Sequence, residues 1–241
     1  MNAFSRLEQV RIVLSHTSHP GNIGAAARAM KTMGLRALYL INPKHFPDPE
    51  ADARAAHACD ILARAEICSS VDEALQHTVL TAAITARPRE LSLETFDARQ
   101  GAKELLSYVN QPIALLFGRE NSGLTTEEVS KCQIVIHIPA NPEYPSLNLA
   151  SAVQVMAYEL RMALFQEDVE ETIIRGAPAD FNDLESLYAH LQQLMIASDF
   201  LDPEKPKLLM QRIRRLFARA RLEKEEIQIL RGILTALGKR W

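Results

Sequence analysis

Apolar residues in this chain fall into short runs separated by segments of helical period. Val10–Leu14, Leu38–Ile41, Leu80–Thr85, Ile113–Phe117 and Ile134–Ile138 are short, β-rich or strongly apolar runs. Turn residues follow four of them, at Asn42-Pro43, Arg87-Pro88, Gly118 and Pro139, and these five runs read as strands. Helical patterns lie between them, near 22–33, 51–58, 71–76 and 98–108. Thr125-x-x-Glu128 is a capping box opening a helix to about Lys131. A longer helix is expected from Leu147 to Phe165. Strands alternating with helices imply an α/β fold with a parallel sheet. In such sheets ligands sit beyond the carboxyl ends of the strands.

No strand pattern is visible after Phe165. Gln166–Asp180 is acidic and poorly periodic, as a linker would be. The expected organisation is a catalytic domain at 1–165, a linker at 166–180 and a small all-helical domain at 181–241. The helix Leu147–Phe165 is apolar on too many sides for one sheet face. Leu149, Val153, Met156, Leu160 and Leu164 form one stripe, and Ala152, Val155, Met162 and Phe165 lie outside it. The excess calls for a second partner.

Composition narrows the class. At 241 residues and 47% hydrophobic, the chain has material for a large core. No run approaches the ~18 apolar residues of a membrane span, and no membrane partner is expected. Met1–Glu8 contains no long apolar segment of the secretory type. Cys59, Cys68 and Cys132 are odd in number and lack metal spacing, which fits isolated thiols in a reducing cytoplasm. The seven histidines are scattered, and no metal site is expected.

A net charge of −3 argues weakly against a nucleic-acid partner, but its distribution reverses that. Gln166–Glu185 holds seven acids and one arginine, whereas Lys205–Lys224 holds eight basic residues and one acid. A phosphate backbone responds to the local field rather than the average. In the basic segment Leu209, Ile213, Leu216, Phe217 and Ala220 make an apolar stripe. Arg212, Arg215 and Arg219 flank it on one side, Arg214 and Arg221 on the other. A solvated helix face would explain this arrangement, but five arginines with no interleaved acid favour phosphate contact.

Three segments at strand ends carry the chemistry. The first is Asn22-Ile23-Gly24-Ala25-Ala26-Ala27-Arg28. Gly24 and Arg28 share a helix face, Lys31 extends it, and a glycine there would let a phosphodiester approach the arginine fork. The second is Phe117-Gly118-Arg119-Glu120-Asn121-Ser122-Gly123-Leu124, a tight loop with one acid, Glu120. The third runs from Ile138-Pro139 to Ser146-Leu147-Asn148-Leu149-Ala150. Its prolines at 139, 142 and 145 stiffen the loop, and Ser146 is a natural N-cap for the long helix. Each segment also has a plain reading, as a surface arginine, a loop carboxylate and a capping serine.

Taken together and in order, the three segments resemble the motifs of the SpoU branch of the SPOUT RNA methyltransferases. The likeness extends to Arg28–Leu35, Ala140–Tyr144 and the tail run Ile229–Leu234, and within the branch it is strongest to the tRNA-modifying enzymes. The resemblance implies a SPOUT fold whose C-terminal segment is threaded into a trefoil knot. It also implies S-adenosylmethionine as cofactor, S-adenosylhomocysteine as product, and no metal. The activity implied is 2′-O-methylation of a pyrimidine ribose at position 32 of the tRNA anticodon loop, by a cytoplasmic homodimer that shares its site across the interface. By the same resemblance Arg28, Glu120, Ser146 and Asn148 are catalytic. Ile84, Thr85, Ala86, Gly118, Glu120, Gly123, Ile138, Pro145, Ser146 and Leu147 hold the cofactor. Asn22, Arg28, Lys31, Arg87 and Arg89 face RNA, with Arg212, Arg215 and Arg219 in the tail. Ribosomal RNA as substrate, or an RNA-binding relative without catalysis, are the alternatives.

Overall fold

The computed structural model describes residues 7–87, 93–108, 110–165 and 176–239. Within them seven strands form one sheet: β1 (Val10–Ser15), β2 (Ala37–Ile41), β3 (Glu66–Cys68), β4 (Leu80–Ile84), β5 (Glu94–Asp97), β6 (Ile113–Phe117) and β7 (Ile134–His137). Their order is β3-β2-β1-β6-β4-β7-β5, and every pairing is parallel. The chain first winds outward from β1 through β2 to β3. It then fills the other half of the sheet, with β6 between β1 and β4. A parallel sheet binds ligands in the crevice beyond the carboxyl ends of its strands, where the order of winding reverses.

The alternation along each strand builds two cores, one on each side of the sheet. Ile113, Leu115 and Phe117 of β6 join Val10, Ile12 and Leu14 of β1 on one face. Helices α1 (Pro20–Met33), α2 (Pro49–Ala55), α5 (Ala98–Leu106) and α7 (Leu149–Ala163) cover that face, with the short α3 (Cys59–Leu62). Ala114 and Leu116 of β6 and Val13 of β1 point the other way, toward α4 (Val71–Leu75) and α6 (Thr126–Ser130).

The five strands read from the sequence are present to within a residue or two. The structure adds β3 and β5, of three and four residues. Both are edge strands too short to show alternation, and pairing with β2 and β7 defines them. The Thr125–Glu128 capping box is formed in both directions. The long helix starts later than expected, and Asn148 rather than Ser146 is its N-cap, accepting from Ala150 N at 2.9 Å. Gly24 also differs from its expected role. A Cβ there would lie 2.0 Å from the Ala51 carbonyl oxygen, so this glycine serves the close packing of α1 on α2.

The tail forms α8 (Phe181–Ala197), α9 (Leu209–Ala220) and α10 (Lys224–Gly238). They share a small core of Leu184, Leu187, Tyr188 and Ile227. Phe181 and Ala218 also enter the second core of the sheet. Of the expected linker, residues 166–175 lie outside the described part. Ala179 N donates to Leu222 O at 2.9 Å, and Lys224 N donates to Ala177 O at 2.9 Å.

Candidate active site

The second motif leaves β6 as a closed loop. Arg119 and Gly123 exchange backbone hydrogen bonds, at 3.3 Å and 2.9 Å. Gly118 is required for this closure, because a Cβ would lie 2.2 Å from the Gly123 carbonyl carbon. Gly123 itself sits at φ +68°, a left-handed conformation that glycine adopts without strain.

The closed loop aims Glu120 at the start of α1. Its Oε2 accepts from Ser18 N at 3.1 Å and Ser18 Oγ at 3.0 Å. Its Oε1 accepts from His19 N at 3.2 Å and Asn22 Nδ2 at 3.0 Å. Asn22 Oδ1 in turn accepts from Asn148 Nδ2 at 3.0 Å. Glu120, Asn22 and Asn148 thus tie the three motifs together, across sequence separations of 98 and 126 residues. Partial burial pushes the Glu120 carboxyl up. The hydrogen bonds from Asn22 and from the Glu120, Ser18 and His19 backbone outweigh that and hold it below the ordinary value. A carboxylate beside a helix N-terminus is also favoured by the macrodipole.

These loops surround a cavity of about 130 Å³ at the carboxyl ends of β4, β6 and β7. Ile84, Thr85, Ala86 and Arg87 line one side, Gly118 to Asn121 and Gly123 another, and Ile138 with Pro145, Ser146 and Leu147 a third. Thr85 N donates to Ile136 O at 3.1 Å, fixing the β4 exit to β7. The ten residues expected at the cofactor are therefore together. Phe117, Arg119, Asn121, Leu149 and Ala152 also line the cavity and were not assigned to the cofactor from the sequence.

The residues expected at RNA are dispersed. Arg28 is exposed on α1 and does not line this cavity. Lys31 is engaged within the chain, its Nζ 2.6 Å from both Asp60 Oδ1 and His57 O. Arg87 is exposed at the cavity rim. Arg89 lies outside the described residues.

In the tail, Arg212 and Arg219 are exposed and Arg215 is half-buried. Arg214 is bound to Glu185 through both terminal guanidinium nitrogens and stacks over Tyr188 at 4.4 Å. Lys131, at the end of α6, reaches Glu185 at 3.3 Å and Asp72 at 2.8 Å. Arg221 faces Glu94 at 3.5 Å and Glu104 at 3.6 Å. Two of the five arginines counted as one basic surface therefore have acidic partners within the chain. Those partners, 29 and 127 residues away in sequence, were out of reach of local pattern.

Among the described residues no group of histidine, cysteine and acidic side chains is arranged to hold a metal, and no helix is long and apolar enough to cross a membrane.

The SpoU rRNA Methylase family model matches residues 9–158. The chain belongs to the SpoU methylase family. Residues 182–241 match a second family, described as the C-terminal domain of the tRNA methyltransferase TrmJ. Several SpoU relatives are similar to the chain along nearly their whole length. The tRNA (cytidine/uridine-2′-O-)-methyltransferase TrmJ of Escherichia coli K12 is 48% identical, over 96% of this chain and 96% of its own. The tRNA (cytidine/uridine/adenosine-2′-O-)-methyltransferase TrmJ of Pseudomonas aeruginosa UCBPP-PA14 is 46% identical, over 97% and 95%. The crystal structure of TrmJ from Z. mobilis ZM4 superposes with a TM-score of 0.83 at 31% identity, covering 94% of this chain and 98% of that one.

The anchoring role of Glu120 has a signed pH dependence. Its pKa is lowered on folding, so its stabilisation is fully present above the ordinary glutamate value of 4.5 and is lost as pH falls through the folded-state value. Glu120→Gln is expected to cost about 1 kcal/mol near neutral pH. The gap to the parent should shrink as pH drops below about 4.5. Thermal unfolding across that range checks it, and a gap independent of pH would remove the carboxylate from the anchoring role.

Proposed function

We propose that this protein is an S-adenosylmethionine-dependent tRNA 2′-O-methyltransferase acting on cytidine and uridine at position 32 of the anticodon loop, in the cytoplasm. The observation that carries the reading is the Glu120–Asn22–Asn148 chain, which gathers three family motifs around one cavity. The tail match and near full-length likeness to TrmJ proteins favour tRNA over ribosomal RNA. The proposed division is a catalytic domain at 1–165, a linker at 166–180 and a tRNA-binding helical domain at 181–241.

The cavity fits the cofactor in chemistry. Ile84, Phe117, Ile138 and Leu147 offer apolar walls to a purine, while Thr85 and Ser146 offer hydroxyl groups to its sugar. Glu120 places a carboxylate at a cationic neighbour. When bound there, S-adenosylmethionine supplies a sulfonium methyl group as the electrophile. The chain must position the ribose hydroxyl and provide for its proton. Arg28, a guanidinium that stays protonated, is suited to gripping the target phosphate and polarising the 2′-hydroxyl. Glu120 is poorly placed to take the proton, since four donors already occupy its oxygens. The proton passes instead to a phosphate oxygen of the substrate.

Arg28 and the cavity are brought together by a homodimer. Exposed Ser151, Tyr158 and Met162 recur at helical spacing along α7 with half-buried Val155, beside exposed Leu147 and Phe165. Pairing α7 with the same helix of a second copy covers this face and sets Arg28 of one protomer at the cavity of the other. The trefoil knot is part of the same reading. It rests on the likeness to the SpoU family.

Purified protein with S-adenosylmethionine is expected to form 2′-O-methylcytidine and 2′-O-methyluridine at position 32 of unmodified tRNA. Arg28→Ala should lower turnover by about 100-fold, with cofactor affinity nearly intact. Nucleoside mass spectrometry and calorimetry read the two effects, and base methylation alone would refute the assignment.

Neutralising Arg212, Arg215 and Arg219 together should weaken tRNA binding. The slope of log affinity against log salt should fall by roughly 0.7 to 0.9 for each phosphate no longer gripped. An unchanged slope would leave the RNA grip to the catalytic domain.

A further inference from the structure

The cavity loop is held from two sides, and the proposed reaction uses only one of them. Glu120 reaches forward to α1. Its neighbour Arg119 reaches backward, toward Glu128 on α6. Arg119 Nη1 lies 2.9 Å from Glu128 Oε2 and 3.1 Å from Oε1. Glu128 is 6% exposed, an uncommon burial for a carboxylate. Its remaining acceptor positions are filled by Thr125 N at 2.6 Å and by Ser15 Oγ at 2.5 Å. Ser15, at the end of β1, is fully buried. A capping box needs only the Thr125 contact. The burial, the arginine and the serine are additional to it.

The cluster continues to His16. Ser15 Oγ and His16 Nδ1 are 2.8 Å apart. The serine has one proton and gives it to a carboxylate that can only accept, so His16 Nδ1 carries the hydrogen in this contact. The direction is therefore His16 to Ser15 to Glu128, with Arg119 and Thr125 donating from the loop side. Burial pushes the Glu128 carboxyl up, but the bonds from Ser15, Thr125 and Arg119 hold it low and ionised. The ends of β1 and β6, the loop 118–123 and the start of α6 thereby converge on one buried charge. It lies beneath the cavity loop.

We propose that Glu128 is a positioning residue for the cofactor loop, acting through Arg119 and braced by Ser15. It touches no substrate in this scheme. It fixes the path from Gly118 to Gly123, and with it the direction in which Glu120 and the loop backbone face the cavity. The proposal rests on the cofactor assignment above, and deepens it by naming a residue outside the three motifs on which cofactor affinity depends.

The test uses the full-length protein and saturating tRNA. Initial rates are measured against S-adenosylmethionine for the parent, Glu128→Gln, Arg119→Gln and the double variant. Each single substitution is expected to raise KM for the cofactor by roughly tenfold, the equivalent of one charged hydrogen bond. Turnover of Glu128→Gln at saturation should stay within about threefold, since Glu128 does not line the cavity; Arg119 does, so Arg119→Gln is read for its KM and its coupling to Glu128 alone. The double variant should be no worse than the weaker single one, because both remove the same ion pair. Ser15→Ala removes one hydrogen bond and keeps the ion pair, so it provides a milder shift in the same direction if Glu128→Gln fails to fold. An active parent whose variants melt earlier but keep the parental KM overturns the positioning role alone. A parent that binds no S-adenosylmethionine overturns the cofactor assignment and this proposal together.

Discussion

The side-chain link that joins all three motifs of the candidate site passes through Asn22. Its amide nitrogen donates to Glu120 and its amide oxygen accepts from Asn148. An amide does both at once through two separate atoms, and each neighbour is matched to it: a carboxylate that only accepts, and a second amide that donates. Glu120 carries the loop after β6, and Asn148 caps α7. Four hydrogen bonds to Glu120 fix the cavity loop to the start of α1, and the bond from Asn148 to Asn22 adds the entry to α7. Preorganisation of this kind lowers the cost of ordering a site when ligand arrives.

The sheet supplies the frame for that bridge, and the tail is built onto its far side. α1, α5 and α7 pack on one face, whereas Phe181 and Ala218 of the tail enter the core on the other. The Arg214–Glu185–Lys131 contacts and the Arg221 contacts with Glu94 and Glu104 fasten the tail helices to the catalytic unit. Arginines that looked like one surface therefore divide by task. Arg214 and Arg221 hold the tail in place, while Arg212, Arg215 and Arg219 form no ion pair among the described residues.

The motif loops were legible in the sequence because glycine and proline mark strand ends, and because the polar residues there are few. The long apolar strands were legible for the same reason in reverse. β3 and β5 were not, since three or four residues show no period and only a neighbouring strand defines them. Local pattern also misassigned single residues. Ser146 has a capping side chain two positions too early, and Asn148 takes the role because α7 starts at Leu149. Gly24 looked like an opening for phosphate, but the Ala51 backbone fills that space. Glu128 read as a helix cap, which it is, while the buried hydrogen bond it also accepts comes from Ser15, 113 residues away.

Asn22 offers the most direct test, because it does not itself line the cavity. S-adenosylmethionine affinity of Asn22→Ala should be measured by calorimetry in the absence of RNA. The bridge predicts a loss of roughly tenfold or more, transmitted through Glu120 and the entry of α7. A folded Asn22→Ala protein that binds the cofactor as tightly as the parent would contradict it.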